Sequence, residues 1–436
     1  TFAIERLMDE LAAEVGGDPL EIREKNWIKH EEFPFVSVSG MTYDSGNYEA
    51  ATARAKELFG YDELRAEQKQ RRESGDPVQL GIGVSTFTEM CGLAPSRVLG
   101  QLSYGAGGWE SAAIRMLPTG KVEVITGTSP HGQGHETAWS QIVADRLGVP
   151  FDDVEVLHGD TAIAYKGLDT YGSRSLVVGG EAADKVIEKA KPFAAHLLEA
   201  SVDDLEFKDG RYAVKGTDKG VGITEVALAT FASHNYPDHL EPGIDADATY
   251  DPVDFSFPHG THLCAMEVDT ETGASTIRKY VCVDDIGQVI NPLIVEGQVH
   301  GGLVQGIAQA LWEEAVYDDN GTLVTGSFVD YTLPTTADTI NFVTDNTTSL
   351  ATTNTLGTKG VGEAGTIAST PAVVNAIVDA VRDRGIHDIQ MPCTPARVWA
   401  ALQSAGSAEV AQAQPHFHEE AANNADPGTT GEGSGS

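Results

Sequence analysis

The sequence predicts an α+β fold in mixed layers. Three observations carry that reading. Stretches of alternating or apolar character recur, with hairpin-turn signals between several of them. Long segments of helical periodicity, some with recognisable caps, are interspersed among these stretches. The 436 residues are 41% hydrophobic and 22% charged, enough apolar material for cores in two or more domains.

The elements follow in order. Ile4, Leu7, Met8 and Leu11 hold the i, i+3, i+4, i+7 spacing of an amphipathic helix, already under way at Thr1 with little room for a cap. Gly16-Gly17 stops it. Asp18-Pro19-Leu20-Glu21 opens a second helix with an N-cap and Pro at the first helical position. Residues 44–73 are helical, polar and charged, and read as a connector between two lobes. From Gln79 the texture changes. Residues 78–87, 111–117 and 121–126 read as strands, with a hairpin turn at Pro118-Thr119-Gly120. A helix through 141–147, a strand at 154–157, a long helix over 181–199 and an Asp209-Gly210 hairpin follow. Residues 261–268 and 276–283 pair as strands. A glycine-rich helix spans 294–314, Asp319-Asn320-Gly321 makes a turn, Thr370-Pro371 caps a helix running to about 382, and Thr394-Pro395 caps the last one. The chain then divides into 1–78, the end of one domain with its helical connector; 79–403, a second domain; and 404–436, a disordered acidic tail.

Charge narrows the function. Sixty-five acidic residues stand against 29 basic ones, a formal net of −36. Nucleic acid and anionic membranes both need basic patches, so neither is a partner. A folded chain this acidic repels itself in dilute salt. A halophilic cytoplasm is therefore expected, the alternative being a merely acidic mesophilic protein. No apolar run approaches the ~20 residues that span a bilayer, and the chain reads as intracellular. Cys91, Cys264, Cys282 and Cys393 form no C-x-x-C pair, so they read as buried reduced thiols outside any zinc or iron–sulfur pattern.

Four motifs carry candidate chemistry. In Ser129-Pro130-His131-Gly132-Gln133-Gly134-His135-Glu136-Thr137, two glycines let backbone approach a bulky ligand. The Gln133 amide offers a donor and an acceptor, and the helix behind favours an anion. A plain turn is the alternative; zinc lacks the H-E-x-x-H order. The stretch from Gly167 to Ser175 packs Thr170, Tyr171, Gly172, Ser173 and Arg174 together, suited to phosphate or a polar ring, or else a solvated loop with a structural Arg. Gly360 to Gly365 is formally G-x-G-x-x-G, but 352–358 is too polar to be the strand a dinucleotide fold needs. Those glycines would instead hold Glu363 toward a pocket, poorly solvated and with a raised pKa, as a general base; the alternative is a carboxylate at a helix start. Last, Asp284-Asp285 leads into a helix with glycines at 297, 301, 302 and 306, each costing ~1 kcal/mol against alanine. Such a helix packs backbone-close against another helix or a cofactor.

Together these motifs resemble the molybdenum-binding subunit of the xanthine oxidase family, most nearly the large subunits of aerobic carbon monoxide dehydrogenases and related aldehyde or heterocycle hydroxylases. Cys91-Gly92-Leu93-Ala94-Pro95-Ser96, the Gly-Gln-Gly-His-Glu stretch, Thr170–Arg174, Asp284-Asp285 and Lys359–Glu363 run in the family's order from residue 1 to about 402. The resemblance implies bound molybdopterin cytosine dinucleotide, its molybdenum held by the pterin dithiolene and not directly by side chains. Gln133 would sit beside the metal. Gly132, Gly134 and His135 belong to the same loop. Thr170, Tyr171, Gly172, Ser173, Arg174, Asp285 and the backbone of Lys359, Gly360, Val361 and Gly362 would line the cofactor. Glu363 matches the family's catalytic carboxylate. The family also carries a stretch ahead of Thr1, so truncation or a split gene is expected. With no cluster-type cysteines and no flavin fingerprint, electrons would pass to iron–sulfur and FAD subunits of a heteromeric complex. A silent family fragment acting as scaffold and a nicotinamide enzyme built on Gly360–Gly365 are the competing readings.

Overall fold

The computed structural model describes residues 1–405 except 94, 165, 179–181, 233, 235–236 and 238. Its first helices are α1 (Phe2–Glu14), α2 (Pro19–Glu24), α3 (Tyr48–Phe59) and α4 (Tyr61–Ser74), with a two-stranded ribbon, β1 (Phe35–Val36) and β2 (Thr42–Tyr43), between α2 and α3. Asp18 caps α2 through Leu20 and Glu21 N–H as its sequence requires. Gly60, at φ +69°, separates α3 from α4.

The central sheet orders β13 (Val343–Thr347), β12 (Ser275–Asp285), β11 (His259–Asp269) and β3 (Val78–Thr88). All its pairs are antiparallel except β12 with β13. Period-two alternation sorts its side chains. Leu80, Ile82, Val84, Leu263, Ala265, Val281 and Val283 meet α2, α3 and α4. Cys264, Met266, Val268, Tyr280 and Cys282 meet α10 (Pro292–Leu311) and α11 (Ala364–Val381) on the other face. The two helices expected as a connector are thus one layer of this core. On the α11 face, β3 presents Gly81 and Gly83. A Cβ there would come within 1.8 Å of Ala376 O and Ala372 O, so glycine lets helix backbone rest on strand backbone.

A second sheet orders β10 (Ala246–Tyr250), β4 (Glu110–Met116), β5 (Val122–Thr126) and β6 (Val154–Leu157). It shares a core with α6 (His135–Leu147), α8 (Ala182–Leu197) and α9 (Ile223–Ala232). The three-stranded sheet β7 (Leu205–Lys208), β8 (Arg211–Val214) and β9 (Gly220–Gly222) closes that core. Short helices α5 (Ser96–Gln101) and α7 (Ser175–Val178), and the last helix α12 (Pro395–Ala405), complete the described chain. The last helix runs to Ala405, two residues into the tail expected from 404, and the rest of that tail lies outside the described residues.

Two expectations are corrected. The helix expected from Thr370 begins at Ala364 and runs through Pro371. Burial overrides the proline: Thr370 Oγ1 bonds Gly306 O, and nearly every residue from Ala368 to Val381 is buried. By length and hydropathy α11 could cross a bilayer, but its packing on β3, β11 and α10 makes it the core helix. The apolar stripe of α1 faces outward, with Ile4 and Leu7 each 65% exposed, while Glu5, Arg6, Asp9 and Ala12 are buried. Ion pairs explain the inversion. Arg23 meets Glu5 and Asp9, each at 2.8 Å, and Arg6 Nη1 bonds Asn375 Oδ1 of α11 at 2.8 Å. The four cysteines are buried and unbridged, as expected. His262, Cys282 and Asp284 meet across β11 and β12, fully buried and hydrogen-bonded to one another.

Candidate active site

Four loops meet around a cavity of about 800 Å³, within the range that holds a cofactor or substrate. Each comes from a different element, and local chemistry explains how each is held.

The 127–134 loop joins β5 to α6, with Gly132 at φ +98° and Gly134 at φ +76°. The left-handed φ of Gly134 calls for glycine, a Cβ there would also press on Ile294 Cδ1 of α10 at 2.9 Å, and the residue does not line the cavity. The Gln133 amide folds back: its oxygen accepts from His131 N–H, and its Nε2 meets His135 Nε2 at 3.1 Å. Burial lowers the His135 pKa, so the ring is neutral at pH 7.

The 167–175 loop lies alongside. Gly127 and Gly167 pass so close that a Cβ on Gly167 would sit 2.4 Å from Gly127 Cα. Ser129 N–H donates to Asp169 at 2.9 Å and ties the two loops. Arg174, expected as an anion contact, is spent on the fold. It pairs with Glu110 at 3.0 Å, donates to the carbonyls of Gly108, Trp109 and Asp169, and is fully buried. Its Nε is left buried without a partner.

The 286–291 turn follows β12, and Asn291 caps α10 while its Nδ2 reaches Gln141 of α6 at 2.7 Å. Asp285 does not line the cavity. It is fully buried behind it, pairing with Lys359 at 3.5 Å and accepting from Gly287 N–H and Thr347 Oγ1. Lys359 lines the wall but turns its ammonium inward, to Asp285 and Ser45 O. The 359–363 segment follows no strand, which removes the dinucleotide reading. Lys359 N–H bonds Ile286 O, and Gly360 N–H bonds the Cys91 sulfur at 3.1 Å.

Glu363 occupies the N-cap position of α11, yet its side chain makes no cap bond. It accepts from Ser173 Oγ at 2.9 Å and is exposed on the cavity. The poor solvation expected for Glu363 is therefore not found there. Burial falls on a carboxyl missing from the sequence reading: Glu89, 9% exposed and held by the same Ser173 at 2.9 Å. Glu89 stands just past β3, and no glycine pattern marks it.

Thirteen of the expected positions line one cavity: Gly132, Gln133, His135, Thr170, Tyr171, Gly172, Ser173, Arg174, Lys359, Gly360, Val361, Gly362 and Glu363. Trp139, Gln298 and Gln305 join them; the two glutamines lie on the glycine-rich helix expected beside a helix or a cofactor, and nothing in the sequence marks Trp139. The buried, unpartnered indole N–H of Trp139 suits an acceptor-rich polar ligand such as a pterin nucleotide.

The chain belongs to the molybdopterin cofactor-binding domain family, whose model matches residues 54–340. Within it, the chain is a homologue of molybdenum-binding subunits of the xanthine dehydrogenase type. It is 40% identical to the carbon monoxide dehydrogenase large chain of Hydrogenophaga pseudoflava, over 92% of this chain and 50% of that one. A crystal structure of Cu,Mo-CO dehydrogenase matches with a TM-score of 0.89 and 40% identity, covering 93% of this chain and 52% of the other. Quinoline 2-oxidoreductase from Pseudomonas putida 86 matches with 0.85 and 38%, covering 92% and 51%. The chain spans about half the length of these relatives.

Proposed function

We propose that this chain is the cofactor-binding part of a molybdenum hydroxylase large subunit. It oxidises a small substrate, whether carbon monoxide, an aldehyde or an N-heterocycle, with oxygen taken from water. Electrons leave to an iron–sulfur subunit and an FAD subunit of the same complex. The observation that supports this best is the convergence of four sequence-distant loops on one cavity with Glu363 at its wall.

When bound, molybdopterin cytosine dinucleotide supplies a molybdenum centre that accepts two electrons. The chain's own groups do the rest. Backbone at Gly132 and Gly362, where a Cβ would meet no atom closer than 3.6 Å, lets the ligand approach closely. Thr170, Gln298 and Gln305 offer neutral donors and acceptors that fix its orientation, and Gln133 joins them by exchanging one of its bonds to His131 or His135 for the ligand. Glu363 takes a proton from the attacking water or hydroxyl, the role a positioned carboxylate fills as general base.

Elemental analysis of natively purified protein, with whatever co-purifies, tests the cofactor. About one molybdenum per chain is expected for a single cofactor site. No molybdenum, in folded protein from metal-supplied cells, would favour a silent fragment. In the loaded complex, Glu363→Gln should lower kcat by about 10²–10⁴-fold with molybdenum content unchanged. Undiminished turnover would remove the general-base role.

A further inference from the structure

The base assigned above has a buried neighbour. Glu89 Oε1 lies 2.9 Å from Ser173 Oγ, and Glu363 Oε2 lies 2.9 Å from the same oxygen. A serine hydroxyl has one hydrogen to give. With both carboxylates ionised, one of these contacts would set two oxygens at hydrogen-bond distance with no proton between them. A single proton on the pair removes the conflict. The protonated carboxyl donates to Ser173 Oγ, and Ser173 donates onward to the other carboxylate.

We infer that Glu89 is a neutral carboxylic acid in the working protein and acts through Ser173 as the positioning residue of Glu363, keeping that carboxylate ionised and aimed at the cavity. The consequence for catalysis rests on the reading of Glu363 as base; the shared proton does not.

Burial decides which carboxyl holds the proton. Glu363 is exposed, whereas Glu89 is buried and its Oε2 has no hydrogen-bond partner. An ionised carboxylate in that position carries the full desolvation penalty, and a neutral one does not. The charges that act on Glu89 most strongly are Glu363 from the 359–363 loop and Asp284 from β12, both acidic, while Cys91 two residues along also feels Lys359. Burial first, then a direct side-chain contact with Glu363 and the charges of Glu363 and Asp284, push Glu89 up to about 8, against the opposing bond from Ser173. The bridge is closely packed. Ser173 holds φ +51°, a left-handed conformation uncommon for a side-chain-bearing residue. A Cβ on Gly360 would come within 2.4 Å of the Ser173 Cβ, so Ser173 rests directly on the Glu363 loop.

Infrared difference spectra of the purified protein, titrated from about pH 6 to about pH 10, read this proton directly. One protonated-carboxyl band should vanish with a midpoint of about 8. It should be missing in Glu89→Gln. It should persist in Glu363→Gln with a lower midpoint, because one of the charges that raises it is gone. A wild-type spectrum without the band overturns the inference even if Glu89→Gln fails to fold, and so does a band that survives unchanged in Glu89→Gln. In the molybdenum-loaded complex, the kcat/KM profile should lose its alkaline limb in Glu89→Gln; a limb that does not move overturns the positioning role. A missing band with an inactive Glu363→Gln leaves the base reading standing and removes the pair. A present band with an active Glu363→Gln does the reverse.

Discussion

Arg174 and Lys359 are the two cations of the cavity wall, and both are committed to buried carboxylates, Glu110 and Asp285. Their first role is to hold loops. Arg174→Met should leave Glu110 uncompensated in the interior and cost about 3–5 kcal/mol in urea unfolding. A variant of unchanged stability but weaker cofactor retention would make Arg174 a ligand contact instead. Asp9 gives the pH dependence at this scale. Burial raises its carboxyl from 3.8 to about 6, against the pull of Arg23. The folded state then binds more protons than the unfolded one between those values. Stability contributed there falls as pH rises from about 4 to about 6, by at most about 1.4 kcal/mol per pH unit. The wild type minus Asp9→Asn difference in unfolding free energy across that window should show the fall; a flat or rising difference would refute it.

At the scale of elements, α10 separates its glycines by function. A Cβ on Gly306 would lie 1.9 Å from Ser369 Oγ, and on Gly302 it would lie 2.9 Å from Thr366 N, whereas Gly297 and Gly301 face open space. The helix therefore packs on α11 along one face and offers Ile294, Val295, Gln298 and Gln305 to the cavity along another. Gly306→Ala should destabilise by about 1–3 kcal/mol through overpacking. Gly301→Ala should stabilise by up to ~1 kcal/mol through helix propensity. Thermal unfolding of the two variants checks the contrast, and equal effects would contradict this packing. The outward stripe of α1 gives a parallel test. Leu7→Ser should change the stability of the isolated chain by less than about 0.5 kcal/mol, as for an exposed position. A loss of 2 or more, on the order of a core truncation, would mean that Leu7 is covered in solution.

For the molecule as a whole, a net charge of −36 sets the solution behaviour. Repulsion among these charges works against the compact state in dilute salt. Screening shortens the reach of repulsion from about 10 Å at 0.1 M salt to about 3 Å at 1 M. The melting temperature should rise over that range. A melting temperature indifferent to salt would mark an ordinary acidic protein.

Glycine and periodicity made much of this protein legible. The Asp209-Gly210 turn, the β11–β12 pair and the Gly132-Gln133-Gly134 loop follow from short-range conformational rules, and the order of the motifs carried the family. The sequence alone also determined which residue types would meet at the site, because backbone approach needs glycine wherever it occurs. Tertiary structure decided what each charge does. Arg174 and Asp285 turned from ligand contacts into loop anchors, since a buried charge must be paired and their partners lie 64 and 74 residues away. α11 ran through Pro371, and α1 turned its polar face inward, because packing and ion pairing outweighed local preference. Glu89 was invisible for the same reason: its significance lies in desolvation and in a serine 84 residues distant, and neither is written in the residues beside it.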